Sequence, residues 1–137
     1  MPEKRTLEAA RRDKRAGKSA STQAGEFVRE EMHHIREGKH GAKSAKQAIA
    51  IGLSKARRAG VDLPDEKGHH PSRKRRASSR KSPARSRAAT RALKGEPRSA
   101  ASHTALSRQA HGAARKRSAA DRSRSAKKAA RTRARAT

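Results

Sequence analysis

Residues 44–60 are the one stretch of this sequence in which the signals for the start, the body and the end of a helix all agree. Ser44 is a favourable N-cap, and Gln47, three residues later, is placed to return to the amide of the cap residue in a capping box. Small and apolar residues then recur at spacings of three and four along one side: Ala45, Ala48, Ile49, Gly52, Leu53, Ala56 and Ala59. The sequence therefore predicts a helix over 44–59.

The end of this helix is marked as clearly as its start. Gly60 can adopt the left-handed conformation that follows a last helical turn, which lets Val61 fold back on Ala56. Pro64 then prevents the helix from continuing. These signals make this helix the element on which the preceding ones are expected to pack.

A second helix is predicted over about 21–37, with Ser21 or Thr22 as its cap and Gly38 at its end. Its apolar side consists of residues at helical spacing: Ala24, Phe27, Val28, Met32 and Ile35. A short helix is predicted before it, over about 6–16, with Thr6 as its cap and Gly17 at its end. Leu7 is its only large apolar residue. A helix of that length is marginal in water unless it packs on a neighbour.

Six residues, 38–43, join the two longer helices, and connections of that length commonly join antiparallel neighbours. The apolar side of the second helix is therefore expected to face Ile49 and Leu53 in a helical hairpin. Phe27 is the sole aromatic residue and only 31% of the 137 residues are hydrophobic, which excludes a large core. Because the hairpin has fewer than the roughly 40 residues that a domain usually needs to fold unaided, it must form a homodimer through residues 21–60, recruit the first helix or become ordered on a partner.

The distribution of charge divides the chain. The formal net charge is +26, of which residues 1–60 carry +8 and residues 61–137 carry +18. After Lys67 the only acidic residues are Glu96 and Asp121. The sequence thus predicts three parts: a small helical region over 1–60, a linker over 61–71 and a basic tail rich in Ala, Arg, Lys and Ser over 72–137.

A tail of this composition cannot bury a core and is expected to be largely disordered in the free protein. Two segments are nevertheless predicted to become helical when a polyanion neutralises them, because alanine and arginine favour helices. The first runs from Pro97 to about Arg117, and the second covers 126–134 behind a capping box of Ser118 and Asp121. The predicted fold class is mainly α: a helical hairpin followed by a largely disordered basic tail with conditional Ala/Arg-rich helices.

The tail has the composition of a segment that binds polyanions. Lysine and arginine neutralise phosphate whatever the base sequence, whereas a solubilising tail needs only modest charge and would not require 23 bases over 61–137. The candidate phosphate contacts are Arg73, Lys74, Arg75, Arg76, Arg80, Lys81, Arg85, Arg87, Arg91, Arg115, Lys116, Arg117, Arg122, Arg124, Lys127, Lys128, Arg131, Arg133 and Arg135. Base readout would need a rigid helix face, although such a face is more often just solvated, and its candidates are Lys46, Lys55, Arg57 and Arg58.

Two resemblances bear on this interpretation. The turn Ser82-Pro83-Ala84-Arg85 resembles the Ser-Pro-basic units of linker-histone tails, and the whole tail is similar in composition to linker-histone C-terminal domains and histone-like bacterial proteins. Both likenesses imply binding to duplex DNA. Arginine outnumbers lysine here, which departs from the lysine-heavy linker-histone pattern and leaves RNA open as a partner.

The first 64 residues carry a separate resemblance, in the stretches Ser21-Thr22-Gln23-Ala24-Gly25-Glu26-Phe27-Val28-Arg29-Glu30-Glu31, Arg36-Glu37-Gly38-Lys39-His40-Gly41 and Lys46-Gln47-Ala48-Ile49-Ala50-Ile51-Gly52-Leu53-Ser54. With Pro2-Glu3-Lys4 before them, they resemble a family of small basic bacterial proteins of unknown function. The resemblance implies a bacterial origin and supplies no activity and no site residues.

Catalysis is not expected from this sequence, which has no Gly-rich phosphate loop and no nucleophile elbow. His33 and Glu37 have an i, i+4 spacing that metals can use, within a group that also contains Glu30, Glu31 and His34. An exposed histidine pair on a charged helix is the commoner meaning, so neither a metal nor a cofactor is predicted. With no cysteine and no long apolar run, the chain is expected to be a soluble cytoplasmic protein that does not bind membranes.

The predicted function is binding of duplex DNA without sequence preference, as a nucleoid-associated or histone-like protein. Because the chain has no Tyr or Trp, it lacks the stacking platforms of common single-strand and RNA-recognition modules. Two alternatives stay open: a structured-RNA or ribosome-associated protein, and a protein-interaction module with a solubilising basic tail. In the second alternative, function would lie in residues 21–60.

Overall fold

The computed structural model describes residues 1–64 and 82–136, and every regular element in these two stretches is helical. The elements are α1 (Lys4–Arg15), α2 (Ala20–Arg36), α3 (Ala45–Arg58), α4 (Pro83–Gly95), a single 3-10 turn (Arg98–Ala101), α5 (His103–Arg115) and α6 (Ala119–Ala136). The prediction of a mainly α fold is confirmed. The chain divides into two compact units, the first ending at Ser102 and the second beginning at His103.

Both early helices begin before the predicted residues. Ser19, rather than Ser21 or Thr22, caps α2, because its hydroxyl oxygen accepts a hydrogen bond from the Thr22 amide at 3.3 Å. Glu3 occupies the N-cap position of α1, and Thr6 lies buried inside the helix instead of capping it. The predicted ends are confirmed, since Gly17 and Gly38 follow the helices with φ of 70° and 79°.

The helix predicted over 44–59 is present as α3, with the predicted cap at its start and the predicted glycine at its end. The Ser44 hydroxyl accepts from the Gln47 amide at 3.2 Å, and at the other end the Val61 amide donates to the Ala56 carbonyl at 3.1 Å past Gly60, whose φ is 95°. One detail of the prediction is wrong. The Gln47 side chain accepts from the Lys43 amide, at 2.7 Å, and not from the amide of the cap residue.

The α2–α3 hairpin closes along small residues rather than along the large apolar ones. The buried row of α3 consists of Ala45, Ala48, Gly52 and Ala56. A Cβ on Gly52 would lie 2.7 Å from the Cα of Val28, so the two helices approach too closely there for any side chain on α3. Ile49 and Leu53, which the sequence places directly against α2, are half-buried along one edge of this seam.

The core of the first unit also uses residues outside the hairpin. Phe27 and Ile35 are fully buried, and α1 packs on α2 with Ala10 in the core. Recruitment of the first helix is therefore the outcome that the structure shows among the three expected for so small a hairpin. Val61 and Leu63 join the same core, so the predicted linker over 61–71 begins with core residues, while the rest of it from 65 lies outside the described residues.

The basic tail also returns to the first unit. The Gly41 amide donates to the Leu93 carbonyl at 2.8 Å, and the Ala42 amide donates to the Pro97 carbonyl at 3.1 Å. Ala100 and Ala101 are buried, and the Arg36 side chain donates to the Ala101 carbonyl at 2.9 Å. We call residues 93–102 the docked segment. Although the sequence assigns these residues to the tail that begins at 72, they form part of the folded unit.

Helix starts within the tail differ from those predicted. Ser82 and Pro83, which the sequence assigns to a turn, are the cap and first residue of α4, and the Ser82 hydroxyl accepts from the Arg85 amide at 3.2 Å. The helix expected from Pro97 to about Arg117 begins only at His103, as α5, and Arg98–Ala101 form a 3-10 turn before it. Ser102, with ψ of 153°, separates the turn from α5.

The last helix has the predicted cap but a longer body. The Ser118 hydroxyl accepts from the Asp121 amide at 3.1 Å, and α6 starts directly after it, seven residues before the predicted start at Ala126. Of the described side chains in residues 103–135, none is buried. Since α5 and α6 cover no apolar core, the stability of both helices depends on backbone hydrogen bonds and caps.

Candidate nucleic-acid interface and buried charge cluster

The second unit concentrates positive charge on its last helix. Residues 103–137 contain eleven Lys and Arg and one acid, a net charge of +10. At 100° per residue, five bases of α6 fall within an arc of about 100° and extend over about 17 Å of its axis. We call these five the α6 basic face: Arg124, Lys127, Lys128, Arg131 and Arg135, all exposed. Arg122 and Arg133 lie on the opposite side of the helix.

The single acid of this unit has a local structural role. Asp121 accepts from the Ser118 hydroxyl at 2.8 Å and from Arg124 at 2.5 Å. The Ser118 hydroxyl, and after it Arg124, hold the pKa of the Asp121 carboxyl below its ordinary value. Arg117 donates to the Asp121 carbonyl at 3.2 Å and also to the Ser125 hydroxyl. The start of α6 is therefore braced by its own bases.

The remaining candidate phosphate contacts are distributed unevenly. Arg115 and Lys116 lie exposed at the end of α5, and Arg85, Arg87 and Arg91 lie exposed on α4. Six others, Arg73, Lys74, Arg75, Arg76, Arg80 and Lys81, fall outside the described residues. The structure thus brings together one compact group of candidates, the α6 basic face.

The candidate base-reading face of α3 is not a free surface. Lys46 is exposed, but Arg57 donates to the Pro64 carbonyl at 3.1 Å, and Arg58 donates to the Ser54 carbonyl and hydroxyl at 3.3 and 3.2 Å. Lys55 does not lie on an exposed face. Its side chain is only 17% exposed, and its ammonium nitrogen lies 2.5 Å from the Glu31 carboxylate, inside the hairpin.

Lys55 belongs to a group that we call the buried charge cluster: Glu30, Glu31, His34, His40 and Lys55. Glu31 is fully buried, and its two carboxylate oxygens contact the Lys55 ammonium at 2.5 Å and His40 Nε2 at 2.9 Å. Glu30 is also buried, with Oε1 3.7 Å from the Lys55 ammonium and 3.9 Å from His34 Nε2. A buried carboxylate left without the Lys55 ammonium would strongly destabilise the fold, so these contacts are expected to hold α2, α3 and their connection together.

More exposed residues, Glu3 and Lys39, continue this cluster toward the N-terminal end of α1. His34 Nε2 lies 3.0 Å from the Glu3 carboxylate, and the Lys39 ammonium lies 3.4 Å from it. His34, followed by Lys39, holds the pKa of the Glu3 carboxyl below its ordinary value. The hydrogen bond from Lys39 to Glu37 is in turn the main reason why the pKa of Lys39 is raised.

The histidine grouping differs from the one that the sequence indicates. Glu37 pairs with Lys39 at 3.1 Å, and His33 is exposed, so the i, i+4 pair forms no site. Instead Glu31, His34 and His40 place one possible ligand atom each within 4.8 Å of one another. Sequence reasoning misses His40, because its position depends on how the hairpin connection folds back.

Residues 11–67 match a family of unknown function (DUF6496). The match runs from α1 to the core residues that follow α3, so the predicted resemblance to a family of unknown function is confirmed for this stretch. No curated protein and no solved structure matches the chain. Within the two described stretches, no helix is long and apolar enough to cross a membrane.

Proposed function

We propose that the protein binds duplex DNA without sequence preference, through the α6 basic face and the bases that flank it, in the manner of a nucleoid-associated protein. The observation that supports this proposal is the grouping of five exposed bases on one side of α6, in a unit with a single acid. Phosphate oxygens are the partners that such a surface neutralises best, and they carry no sequence information. Base readout by α3 is not part of the proposal, because Lys55 is used internally.

Binding of this kind is also expected to stabilise α6. Its basic face holds three like-charged pairs at i, i+4: Arg124 with Lys128, Lys127 with Arg131, and Arg131 with Arg135. Each such pair opposes the helix by about 0.2–0.5 kcal/mol, and phosphates remove that repulsion. We infer that the free tail is largely disordered and that α6 becomes fully helical on the polyanion.

The test measures binding of the full chain to two unrelated DNA duplexes by fluorescence anisotropy over a range of salt concentrations. The two affinities should agree within a few-fold and fall steeply with salt. Replacing four bases of the α6 basic face (Lys127, Lys128, Arg131 and Arg135) by Gln should make the log-log salt slope shallower by about 3 to 4, since each neutralised phosphate contributes about 0.9. Arg124 is left in place because it also pairs with Asp121.

A matched control replaces four exposed bases of the first unit by Gln: Arg11, Lys14, Arg15 and Lys46. The net charge falls by the same amount, so a loss that depends on total charge alone would be equal in both variants. Equal losses, or a strong preference for one duplex, would refute the proposal.

Two further measurements address the alternatives. Competition between equal masses of duplex DNA and ribosomal RNA decides between DNA and structured RNA, and RNA preference would replace the proposed partner. Because the docked segment packs on the first unit, the informative truncation ends at Ser102 rather than in the linker. A chain of residues 1–102 that kept full nucleic-acid binding would show that α5 and α6 are not the interface.

A further inference from the structure

The buried charge cluster contains three groups that are ordinary ligands of transition metals. Glu31 and His34 lie at i, i+3 on α2, so they project from the same face of the helix. His40 comes from the connection between α2 and α3. One ligand atom of each residue lies within 4.8 Å of the others, with Glu31 fully buried, His34 largely buried and His40 partly exposed.

The tautomer of His40 makes this grouping chemically distinctive. His40 Nδ1 lies 3.0 Å from the Gly41 carbonyl, which can only accept, so Nδ1 carries a proton. In neutral His40, Nε2 therefore presents a lone pair, and it lies 2.9 Å from the Glu31 carboxylate. Two lone pairs at that distance need a cation nearby, a role that the Lys55 ammonium fills at 2.5 Å from the other Glu31 oxygen and that a metal ion bound between the two groups could also fill.

Glu31 provides a second, independent observation. It is fully buried, and neither of its carboxylate oxygens has a partner with hydrogen-bond geometry, although His40 and Lys55 lie within contact distance. Glu30 Oε1 is also buried and also lacks a partner with hydrogen-bond geometry. Buried carboxylate oxygens normally accept directed hydrogen bonds, whereas those of Glu31 have only contacts with Lys55 and His40 that lack hydrogen-bond geometry and that a metal ion could replace.

We propose that Glu31, His34 and His40 form a binding site for a divalent transition-metal ion of the Zn²⁺ type. Two imidazoles and one carboxylate are a ligand set that Zn²⁺ accepts, with water in the fourth position. At metal–ligand distances near 2.1 Å, tetrahedral ligand atoms stand about 3.4 Å apart, so no separation needs to shorten by more than about 1.4 Å, while the 2.9 Å between Glu31 and His40 Nε2 would lengthen by about 0.5 Å. Glu3, which contacts His34 Nε2, would orient that ring from outside the site.

Lys55 is the competitor for this site. Its ammonium neutralises Glu31 in the absence of metal, and a bound dication would take over that role. The Lys55 side chain is 17% exposed and therefore has a route to solvent. A groove of about 680 Å³ between α1 and α2 has Glu30 and His34 in its walls and therefore reaches one side of the buried charge cluster.

The test uses the full chain with ZnCl2 in calorimetry and CoCl2 in absorption spectroscopy. One high-affinity equivalent is expected, with the Co²⁺ absorption of a site that contains nitrogen ligands. His40→Ala and Glu31→Gln should each weaken binding by at least about 10-fold. The control is His33→Ala, which removes an exposed histidine from the same helix and should leave the high-affinity equivalent unchanged.

Lys55→Met separates metal binding from a purely structural role of the cluster. Removal of the competing ammonium should make the Zn²⁺-induced rise in Tm larger than in the wild-type chain, whereas a cluster that serves only as an ion-pair network would show no such gain. Circular dichroism identifies any variant that fails to fold. Equal Zn²⁺ binding by the His33 and His40 variants, or no high-affinity equivalent in the wild-type chain, would overturn the proposal.

Discussion

Replacement of Gly41 by Ala should detach the docked segment from the hairpin. Gly41 does not have a positive φ, so the backbone conformation itself would accept alanine. Space is the obstacle, because a Cβ at this position would overlap the Glu96 carbonyl group and lie 2.8 Å from the Pro97 carbonyl oxygen. Both obstacles are backbone atoms, which cannot rotate away as a side chain could.

The cost can be estimated from the contacts that a shift would break. Docking includes hydrogen bonds from the Gly41 and Ala42 amides, each contributing about 1 kcal/mol, and the burial of two alanine methyl groups at about 0.8 kcal/mol each. Detachment returns some chain entropy, so the expected loss is about 1–3 kcal/mol. The helices α1 to α3 should remain folded, since their core does not include the docked segment.

Amide hydrogen exchange measured by NMR reads this change directly. In Gly41→Ala, the Ala42 amide should lose its protection while the amides of α2 and α3 keep theirs. Gly25→Ala is the matched control, because Gly25 lies within α2 and a Cβ there meets no atom within 4 Å. That control should stabilise the protein by up to about 1 kcal/mol. An unchanged exchange rate of Ala42 in Gly41→Ala would refute the docking.

Two further predictions concern single charges. Lys55→Ala should lower the free energy of unfolding by about 3 kcal/mol, because it leaves Glu31 buried without its ammonium partner. The exposed control Lys46→Ala should change the free energy of unfolding by less than about 0.5 kcal/mol, and chemical denaturation compares the two variants. The pKa of Asp121 is lowered in the folded chain, so its carboxylate should stabilise the start of α6 at pH values above the ordinary Asp pKa of about 4. This stabilisation should be lost as the pH falls through the lowered pKa. NMR shifts of the α6 amides should follow that titration, and Asp121→Asn should abolish it.

The sequence predicts the ends of the helices better than their contacts. Gly17, Gly38 and Gly60 end α1, α2 and α3 as expected, because a left-handed glycine acts on the turn immediately before it. The caps are harder to place, since Ser19 and Ser21 are equally suitable residues two positions apart. The structure uses the earlier one, Ser19.

The interior position of Lys55 could not be predicted in the same way. Periodicity places Lys55 on the polar side of α3, and the structure then buries that side against Glu31. The pairing depends on how α2 and α3 cross, and Gly52 determines that crossing by letting the helices approach closely. The local sequence of either helix does not indicate how closely α2 and α3 approach each other.

The sequence does not reveal the docked segment, for a related reason. Its buried residues are two alanines, which look the same as the many exposed alanines of the tail. The requirement for glycine at position 41 arises from backbone atoms more than fifty residues away in the chain. Composition therefore assigns these residues to the tail, although their hydrogen bonds belong to the first unit.

Burial of acids within the first unit also bears on the proposed function. Glu30 and Glu31 are neutralised inside the hairpin, and the buried Asp13 carboxylate pairs with Lys18 at 2.8 Å. These carboxylates do not face solvent, so they repel a polyanion less than exposed acids would. The first unit can thus retain acids for its own stability while its surface stays predominantly basic. That arrangement supports the proposal of phosphate binding, because burial weakens the repulsion that these stabilising acids would otherwise exert on a polyanion.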